Sequence, residues 1–435
     1  MGNAGAGERP ALANQPLTAA GTPASPANQP ASPVYYIKAE GIVNPVMAEY
    51  IIKGIRGAAS DGAGAVVIQI DTPGGLDLSM RDIVKEMLSS AVPVIVYVAP
   101  AGARAASAGV FITYAADIAA MAGGTNIGSA HPVQMGGEKM DETMVKKVEN
   151  DAVAYIRSIA KKRRRNEGWA EKAVRESVNV TAAEALRLNV IDMVADTRQA
   201  LLSSLDGRKV ETPAGAVTLR TKGADVKEME MDLRHRVLDV ISNPNVAYIL
   251  MMIGVAGLFF ELSNPGAVLP GVAGAICLVL AFYAFQTLPV NYAGFLLIAL
   301  AFVFFVLEIK VVSFGLLTVA GVASLVLGSL MLFRSPLPFM RLSLWVLMPT
   351  VVLVTLVLLT AMYFAVRIHR KRPASGMEGI VGTEGTAVDA INPGSSGRVF
   401  VSGEYWDAAG DEPIESGARV KVVEIQGLRL KVVKT

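Results

Sequence analysis

The chain has 435 residues, 52% of them hydrophobic, and a formal net charge of only +2 at pH 7. Its mean hydropathy of +0.44 excludes an ordinary soluble protein, and the small net charge gives no reason to expect a polyanionic partner. The single cysteine, Cys277, excludes an intrachain disulfide.

Composition divides the chain into six segments. The first is rich in Ala, Pro, Gly and Asn and holds no apolar signal-peptide region, whereas the most apolar stretch is long enough for several membrane helices. The expected segments are a disordered tail (1–33), an α/β domain (34–200), a linker (201–245), a membrane domain of about five transmembrane helices (246–366), a basic juxtamembrane linker (367–378) and a small β domain (379–435). Ala11-Leu12-Ala13 has the form of a signal-peptide cleavage site. Two explanations are open: chance in an Ala-rich tail, or a true start upstream of Met1.

In the α/β domain, continuous apolar runs alternate with amphipathic patterns. Ala65–Asp71 and Val92–Val98 are typical of strands buried on both faces of a sheet, and each is followed by a helix pattern. This alternation predicts βαβ units and a parallel sheet. The other expected elements are strands at Val34–Lys38, Ile118–Met121 and Val190–Val194, helices at Pro45–Ala59, Ser79–Ser90, Ala108–Ala120 and Asp141–Arg165, and a helix that begins with a capping box of Thr181 and Glu184.

The apolar block predicts membrane spans and a topology. Its apolar segments are Val246–Leu262, Ala267–Leu288, Ala293–Ile309, Phe314–Phe333 and Leu342–Val366. The basic cluster Arg367–Arg372 follows the last segment, and the positive-inside rule places that end in the cytoplasm. The α/β domain is then expected on the extracytoplasmic side of a bacterial or archaeal-type inner membrane. Arg234 and Arg236 before the first segment argue against this topology, as do Arg334 and Arg341.

The C-terminal segment predicts a small barrel. Residues 379–435 alternate apolar and polar side chains between Gly-rich turns, which is typical of about five short strands in an OB-type barrel. Such barrels bind nucleic acid through stacking aromatic side chains. Only Phe400, Tyr405 and Trp406 are available here, so a nucleic-acid partner is not expected and a role in assembly is favoured.

The best candidate nucleophile is Ser107, in the small-residue run Gly102–Gly109 between a strand and a helix. Small neighbours leave its hydroxyl accessible, and the following helix supplies unpaired N–H groups and the positive end of its dipole. A serine nucleophile needs such donors for the oxyanion that forms on attack. We expect them to be the amides of Gly74, Gly75 and Ala108, because a glycine turn lets the backbone approach a substrate closely. The same turn is also typical of an ordinary βα connection.

The serine also needs a base, and the candidates are Lys146, Lys147 and His131. The two lysines lie on one predicted helix, where adjacent residues point about 100° apart, so only one of them can face the site. The apolar side chains of this helix form a stripe along one face. Lys147 lies at the flank of that stripe and Lys146 lies nearly opposite it, so the helix geometry favours Lys147. Burial would have to lower the pKa of the lysine from about 10.4. His131 follows a Gly-rich loop that can bring it to the serine.

No metal or cofactor is expected. The sequence has no cluster of His, Cys, Asp and Glu with metal-ligand spacing, no P-loop and no dinucleotide-binding fingerprint. The chemistry is therefore expected to come from side chains and backbone amides alone.

Together these motifs resemble the long form of the NfeD family, membrane-bound serine proteases with a Clp-like protease domain. The resemblance covers nearly all of Val34 to Thr435. It is carried by Asp71–Gly75, Gly102–Gly109, Thr125–Gly128 with His131-Pro132, Leu307–Ile309 with Ser313–Gly315, Gly397–Val399, Gly403–Trp406 and Gly427-Leu428. It implies a multidomain chain with a crotonase-like α/β protease domain, a polytopic α-helical membrane domain and an all-β, OB-type C-terminal barrel.

The resemblance also implies roles for residues. It implies a Ser–Lys dyad, with Ser107 as nucleophile and Lys147 as general base. Lys146 stays open because a variable loop precedes the helix, and His131 stays open because it lies near the position of the catalytic histidine of soluble Clp proteases.

The partners implied are a stomatin- or prohibitin-like membrane protein, the lipid bilayer and further copies of the chain, with apolar segments of membrane-associated proteins as substrates. The alternative function is a non-proteolytic scaffold that assembles with such a membrane protein. The presence of Ser107, of Gly74-Gly75 and of a lysine at the matching position favours the enzyme.

Overall fold

A computed structural model describes residues 32–133, 141–263, 266, 268–311, 313–333, 335, 340–369 and 377–435. The described chain forms two compact units that join between His235 and Arg236. Nearly all of the expected tail, residues 1–33, lies outside the described residues, as does part of the expected basic linker, residues 367–378.

The first unit alternates helices and strands. Its helices are α1 (Pro45–Ser60), α2 (Asp77–Ser89), α3 (Ala108–Ala115), α4 (Glu142–Lys162), α5 (Glu167–Arg175), α6 (Ala182–Arg187), α7 (Arg198–Leu205) and the start of α8 (Leu233–Ile241). Its strands are β1 (Val34–Glu40), β2 (Ala65–Asp71), β3 (Val94–Val98), β4 (Arg104–Ala106), β5 (Ile118–Met121), β6 (Asn126–Gly128), β7 (Asn179–Thr181), β8 (Met193–Val194), β9 (Lys209–Thr212), β10 (Gly215–Thr218) and β11 (Val226–Met229).

Six parallel strands form the main sheet in the order β11-β1-β2-β3-β5-β8, which confirms the predicted α/β class. The central strands are apolar on both faces because each face packs in a core: Val67 of β2 lies in one hydrophobic cluster and Ile68 in another. A second sheet of β4, β6 and β7 carries the serine turn. Helix α3 is shorter than expected because β5 begins at Ile118, and α6 begins with the predicted capping box.

The first unit extends to His235, beyond the expected boundary at residue 200. Leu201 and Leu205 of α7 are fully buried, and β11 pairs with β1 as the outer strand of the main sheet. The segment also contains one hairpin, β9 with β10. The polar composition that suggested a linker therefore belongs to an exposed hairpin and an edge strand, which need few apolar side chains.

The basic run at the end of α4 is partly buried. Arg163 donates from Nε to the carbonyl of Ala115 at 2.8 Å. Arg165 donates from Nη1 to the carbonyls of Tyr114 and Ala116, both at 2.8 Å. The last carbonyls of a helix have no partner within it, so these two arginines stabilise the end of α3.

The second unit contains apolar helices α9 (Pro244–Ser263), α10 (Val268–Phe285), α11 (Tyr292–Lys310), α12 (Leu316–Leu332) and α13 (Leu344–His369). Among the described residues, α9 and α10 are long and apolar enough to cross a membrane by length and composition, and the other three have shorter apolar parts. These helices agree with the predicted polytopic α-helical membrane domain. The number of spans stays a prediction.

Glycines bring α9 and α10 close together. A Cβ on Gly257 would lie 2.5 Å from the carbonyl oxygen of Pro270, and one on Gly274 would lie 2.8 Å from that of Gly254. Any larger side chain would force these backbones apart. Small residues of this kind are how helices pack tightly in lipid, where no hydrophobic effect drives them together.

The start of α12 is held by Glu308, one of the few charged residues of the apolar block. Its carboxylate accepts hydrogen bonds from Ser313 Oγ at 2.7 Å, from the Gly315 N–H at 3.1 Å and from the Thr318 N–H at 2.9 Å. The first N–H groups of a helix lack partners within it and carry the positive end of its dipole. Glu308 therefore has a structural role that explains an acidic residue at this place.

The C-terminal segment forms a closed barrel with the strand order β12-β13-β14-β16-β15. Its elements are α14 (Met377–Ile380), β12 (Glu384–Ala387), β13 (Ser396–Val401), β14 (Glu404–Ala409), β15 (Arg419–Gln426) and β16 (Arg429–Lys434). Strands β14 and β16 pair in parallel and the others antiparallel. The barrel closes around alternate apolar side chains, as the sequence predicted.

Candidate active site

Ser107 lies between β4 and α3 and is half-buried. Its N–H donates to the carbonyl of Gly128 on β6 at 3.1 Å, and the preceding N–H of Ala106 donates to the carbonyl of Thr72 at 3.0 Å. Its φ is 52°, a left-handed value that non-glycine residues rarely adopt. The Ser107 side chain makes no capping hydrogen bond to α3, so its hydroxyl is available for chemistry.

The small residues around Ser107 are required by close packing. A Cβ on Gly109 would lie 2.7 Å from Cγ2 of Thr72, a fully buried side chain. A Cβ on Gly128 would lie 2.2 Å from the carbonyl oxygen of Val178. Both glycines therefore let neighbouring segments meet directly at the serine turn, which fixes the position of Ser107.

The glycine turn before α2 lies against the serine side chain. A Cβ on Gly74 would lie 2.7 Å from the Ser107 Cβ and 3.1 Å from its Oγ. Gly75 pairs with Val43, whose N–H donates to the Gly74 carbonyl and whose carbonyl accepts from the Leu76 N–H, both at 2.9 Å. This pairing leaves the Gly75 N–H on the side away from Val43. The structure thus brings together the predicted turn and the predicted nucleophile.

The three expected oxyanion donors differ in their hydrogen bonding. The Gly74 N–H donates to Thr72 Oγ1 at 3.0 Å, so it is already engaged. Within the described part of the chain, no acceptor is found for the N–H groups of Gly75 and Ala108. The Ala108 N–H is the first of α3 and has no partner within that helix. Gly75 and Ala108 are therefore the better placed pair of donors.

Lys146 and Lys147 are both exposed on α4, on different faces. Asp151 is one turn after Lys147 on the same face, and it accepts a hydrogen bond from Arg81 of α2. One turn after Lys146, the contacts are to α5 and not to α2. Arg175 of α5 donates from Nη1 to Glu149 Oε1 at 2.6 Å and also donates to Asn150. The face that carries Lys147 is thus the one joined to the helix that follows the glycine turn.

Helix α4 also packs along α3, the helix that Ser107 begins. The rings of Phe111 and Tyr155 stack with centroids 6.0 Å apart, and Arg163 reaches the Ala115 carbonyl further along both helices. These contacts run in the same direction on α3 and α4. Lys147 lies two turns before Tyr155 on α4, and Ser107 lies one turn before Phe111, at the start of α3. No hydrogen bond joins Lys147 to Ser107 in the described coordinates of either residue.

His131 is half-buried, and its ring is held by a different element. Its Nδ1 lies 2.9 Å from the carbonyl oxygen of Val174 on α5, which favours the tautomer with the proton on Nδ1. The neighbouring Ala130 N–H donates to the Ala173 carbonyl at 2.8 Å. His131 is therefore anchored to α5, and no hydrogen bond to Ser107 is found among the described residues.

Sequence reasoning missed Arg81. Its Nε donates to Asp77 Oδ2 at 2.8 Å, and its guanidinium lies 4.4 Å from the centroid of the Tyr155 ring. Partial burial alone would lower the pKa of Arg81, but the carboxylates of Asp77 and Asp151 raise it above its ordinary value. The signal was present: an Asp and an Arg at i and i+4 in the first turns of the helix after the glycine turn.

In the described ranges, no group of His, Cys, Asp and Glu could hold a metal ion. The groups that the site does bring together are a hydroxyl at the start of a helix and unpaired backbone N–H groups beside it. A hydroxyl with such donors can carry out acyl transfer once a base removes its proton.

Family models match the chain in three consecutive parts. They are the N-terminal domain of NfeD1b over residues 33–206, the NfeD integral membrane domain over residues 245–364, and the NfeD-like C-terminal, partner-binding domain over residues 377–434. The order of these domains matches the order of the folded parts described above.

Relatives match over nearly their whole length. The chain is 34% identical over 414 residues to the membrane-bound protease PH1510 of Pyrococcus horikoshii, covering 92% of this chain and 93% of that protein. It is 26% identical over 416 residues to membrane protein NfeD1b of Bacillus subtilis, covering 92% of each. A solved lysine-to-alanine variant of 1510-N, a membrane-bound stomatin-specific protease in complex with a substrate peptide, is 31% identical, with 48% of this chain and 96% of that chain covered and a TM-score of 0.45. The three NfeD family models and the 34% identity to the membrane-bound protease PH1510 show together that the chain belongs to the NfeD family, in the long form that carries a protease domain ahead of its membrane domain.

Proposed function

We propose that this chain is a membrane-anchored serine endopeptidase in which Ser107 is the nucleophile and Lys147 the general base. One observation carries the proposal: the glycine turn lies against the serine side chain, so that a Cβ on Gly74 would be 3.1 Å from Ser107 Oγ. The N–H of Gly75 follows in that turn and the N–H of Ala108 begins α3. These two N–H groups are the proposed donors to the oxyanion that forms when Ser107 attacks.

In the proposed reaction, neutral Lys147 accepts the proton of the Ser107 hydroxyl as Oγ bonds to the carbonyl carbon of the substrate. The carbonyl oxygen becomes an oxyanion and accepts hydrogen bonds from Gly75 and Ala108. The carbon–nitrogen bond then breaks, and the leaving amine takes the proton from Lys147. Water hydrolyses the resulting ester, with Lys147 taking the water proton and returning it to Ser107 Oγ.

Lys147 is proposed over Lys146 because of the faces of α4. The face of Lys147 is bound through Asp151 to Arg81 of α2, the helix that begins directly after Gly75. The face of Lys146 is bound to α5 through Arg175. A base must come within hydrogen-bond reach of the serine proton, and reach comes before pKa in choosing between candidates.

The proposed partner and substrate is a stomatin-like membrane protein that is cut in an apolar segment. The matching 1510-N structure is named as a stomatin-specific protease, and the C-terminal family model is that of a partner-binding domain. Apolar helices anchor the proposed protease beside the bilayer. At that place it can meet apolar segments of other membrane proteins that emerge from the bilayer. Further copies of the chain are proposed as partners as well.

The proposed topology places the protease domain outside the cytoplasm and the C-terminal barrel inside it, because the basic cluster Arg367–Arg372 follows the last apolar segment, Leu342–Val366. Alkaline phosphatase fused after residue 435 is expected to be inactive, and green fluorescent protein at the same place is expected to fluoresce. The opposite pair of results would contradict this topology.

The proposed base is tested on the full chain, purified in detergent, with a fluorogenic apolar peptide. Lys147→Ala is expected to lower kcat by about 10²- to 10⁴-fold, the usual contribution of a general base. Lys146→Ala, one residue away and equally exposed, is the matched control and is expected to change kcat less than about twofold. His131→Ala is expected to stay largely active.

Two results would overturn the proposal. If His131→Ala loses activity and Lys147→Ala keeps it, the base is the histidine. If the wild-type chain cuts no peptide under conditions in which it is folded, the scaffold function replaces the enzymatic one.

A further inference from the structure

Three elements of the proposed site meet at one arginine. Helix α2 follows the glycine turn, α3 begins after Ser107, and α4 carries Lys147. Arg81 of α2 binds Asp77 in its own first turn and Asp151 on α4, and its guanidinium lies on the ring of Tyr155. Tyr155 in turn stacks on Phe111, one turn after Ser107 on α3. One side chain is thus in contact, directly or through Tyr155, with all three elements.

The part of α4 that carries Lys147 is not buried in the core. The buried residues of α4 begin at Ala152, and the apolar side chains before it, Met144, Val145 and Val148, are 46%, 42% and 39% exposed. Hydrogen bonds and ion pairs also join this part of α4 to neighbouring helices. They therefore supplement a packing that covers these side chains only in part.

Two arginines supply those contacts, on opposite sides. Arg81 reaches Asp151 from α2, and Arg175 reaches Glu149 and Asn150 from α5. Of the two, only Arg81 is also tied to the turn that follows the proposed oxyanion donors, through Asp77 at 2.8 Å. Its guanidinium can bind two carboxylates at once because its donors lie in a planar fork.

We infer that Arg81 is a positioning residue for catalysis: it fixes α4, and with it Lys147, against the start of α2. The inference rests on the proposed function, since it concerns the base of that site. Arg81 itself touches neither the serine nor the lysine and acts through Asp151 and Tyr155. A misplacement of about 1 Å in a catalytic group can lower a rate by about 10²-fold, so loss of this anchor should affect the chemical step.

The test compares Arg81→Ala with Arg175→Ala in the full chain in detergent, with the same peptide. Each substitution removes one arginine that anchors the same stretch of α4. Arg81→Ala is expected to lower kcat by about 10- to 100-fold while KM changes less than about twofold. Arg175→Ala is expected to leave kcat within about twofold, even if both lower the unfolding temperature equally.

Asp151 provides a second variant and a double-mutant cycle. Asp151→Asn removes the negative charge from the exposed side of the pair, where the aspartate is 67% exposed. It is expected to lower kcat in the same direction, by less than Arg81→Ala does, with the fold intact. The double variant of Arg81→Ala with Asp151→Asn is expected to be no slower than Arg81→Ala alone, because both remove one interaction.

The inference is overturned if Arg81→Ala lowers kcat no more than Arg175→Ala does, or if the Arg81 and Asp151 effects multiply. These failures are distinct from failure of the proposed function. Full activity of Lys147→Ala would refute the base itself, whereas inactive Lys147→Ala beside fully active Arg81→Ala would refute only the positioning role.

Discussion

Ser107→Ala is expected to lower kcat for hydrolysis of an apolar peptide by at least about 10⁴-fold, because no other group in the turn can form the acyl-enzyme. Alanine removes only the oxygen. It keeps the Cβ that lies next to Gly74. Alanine also disfavours the φ of 52° at this position as serine does. The measurement is steady-state hydrolysis by the full chain in detergent, extended to long incubation so that residual activity is quantified.

The control for this prediction is a measurement that the variant is still folded. Because the backbone strain at Ser107 is the same for serine and alanine, the unfolding temperature of Ser107→Ala should match that of the wild type. Retention of even about one part in ten of the activity, with a preparation free of other proteases, would mean that Ser107 is not the nucleophile.

Arg165→Ala is expected to lower the free energy of unfolding of the first unit by about 2–5 kcal/mol, because it leaves two buried backbone carbonyls without a donor and opens a cavity. The Arg165 side chain is 1% exposed and pairs with Asp192. Without it, the carbonyls of Tyr114 and Ala116 lose their donor, at about 1–3 kcal/mol for an unsatisfied buried group. The change also leaves a cavity at the end of α3.

Denaturation of the purified chain with urea measures this effect. The fluorescence of Trp169 reports on the first unit, because its ring stacks on Tyr114 with centroids 5.9 Å apart. Trp345 and Trp406 are replaced by Phe in all proteins compared. The matched control is Arg164→Ala, the adjacent exposed arginine, which should change the free energy by less than about 0.5 kcal/mol. Equal effects of Arg164→Ala and Arg165→Ala would contradict the buried role.

The sequence predicted best those elements whose side chains are all in the same surroundings, because such elements have a uniform residue pattern. β2 and β3 are apolar at nearly every position because both faces of the sheet are covered, and their bounds fall within two residues of the expected ones. The serine turn was predicted because the small-residue run Gly102–Gly109 lies between a strand pattern and a helix pattern. Thr72 and Gly109, which meet there, explain why the run cannot contain larger residues.

Other features depend on contacts that no local pattern carries. β11 is polar because it lies at the edge of the sheet, so its sequence does not distinguish it from a linker. The contacts that distinguish the faces of Lys146 and Lys147 come from α2 and α5, so they cannot be predicted from the sequence of α4 alone. The engagement of the Gly74 N–H by Thr72 depends on one side-chain rotamer, and of the three expected donors it leaves Gly75 and Ala108.

The pairing of β11 with β1 has a consequence for the order of events during protein synthesis. Val34 of β1 pairs with Ala65 on one side and with Val226 on the other, so β1 keeps an open edge until almost the entire protease domain has been made. Contacts between such distant positions form slowly, and an uncovered edge invites pairing with other chains. The partner strand ends at Met229 and α9 begins at Pro244. The nascent domain therefore completes its sheet only as the first membrane helix is being translated, which makes folding and membrane insertion nearly simultaneous steps.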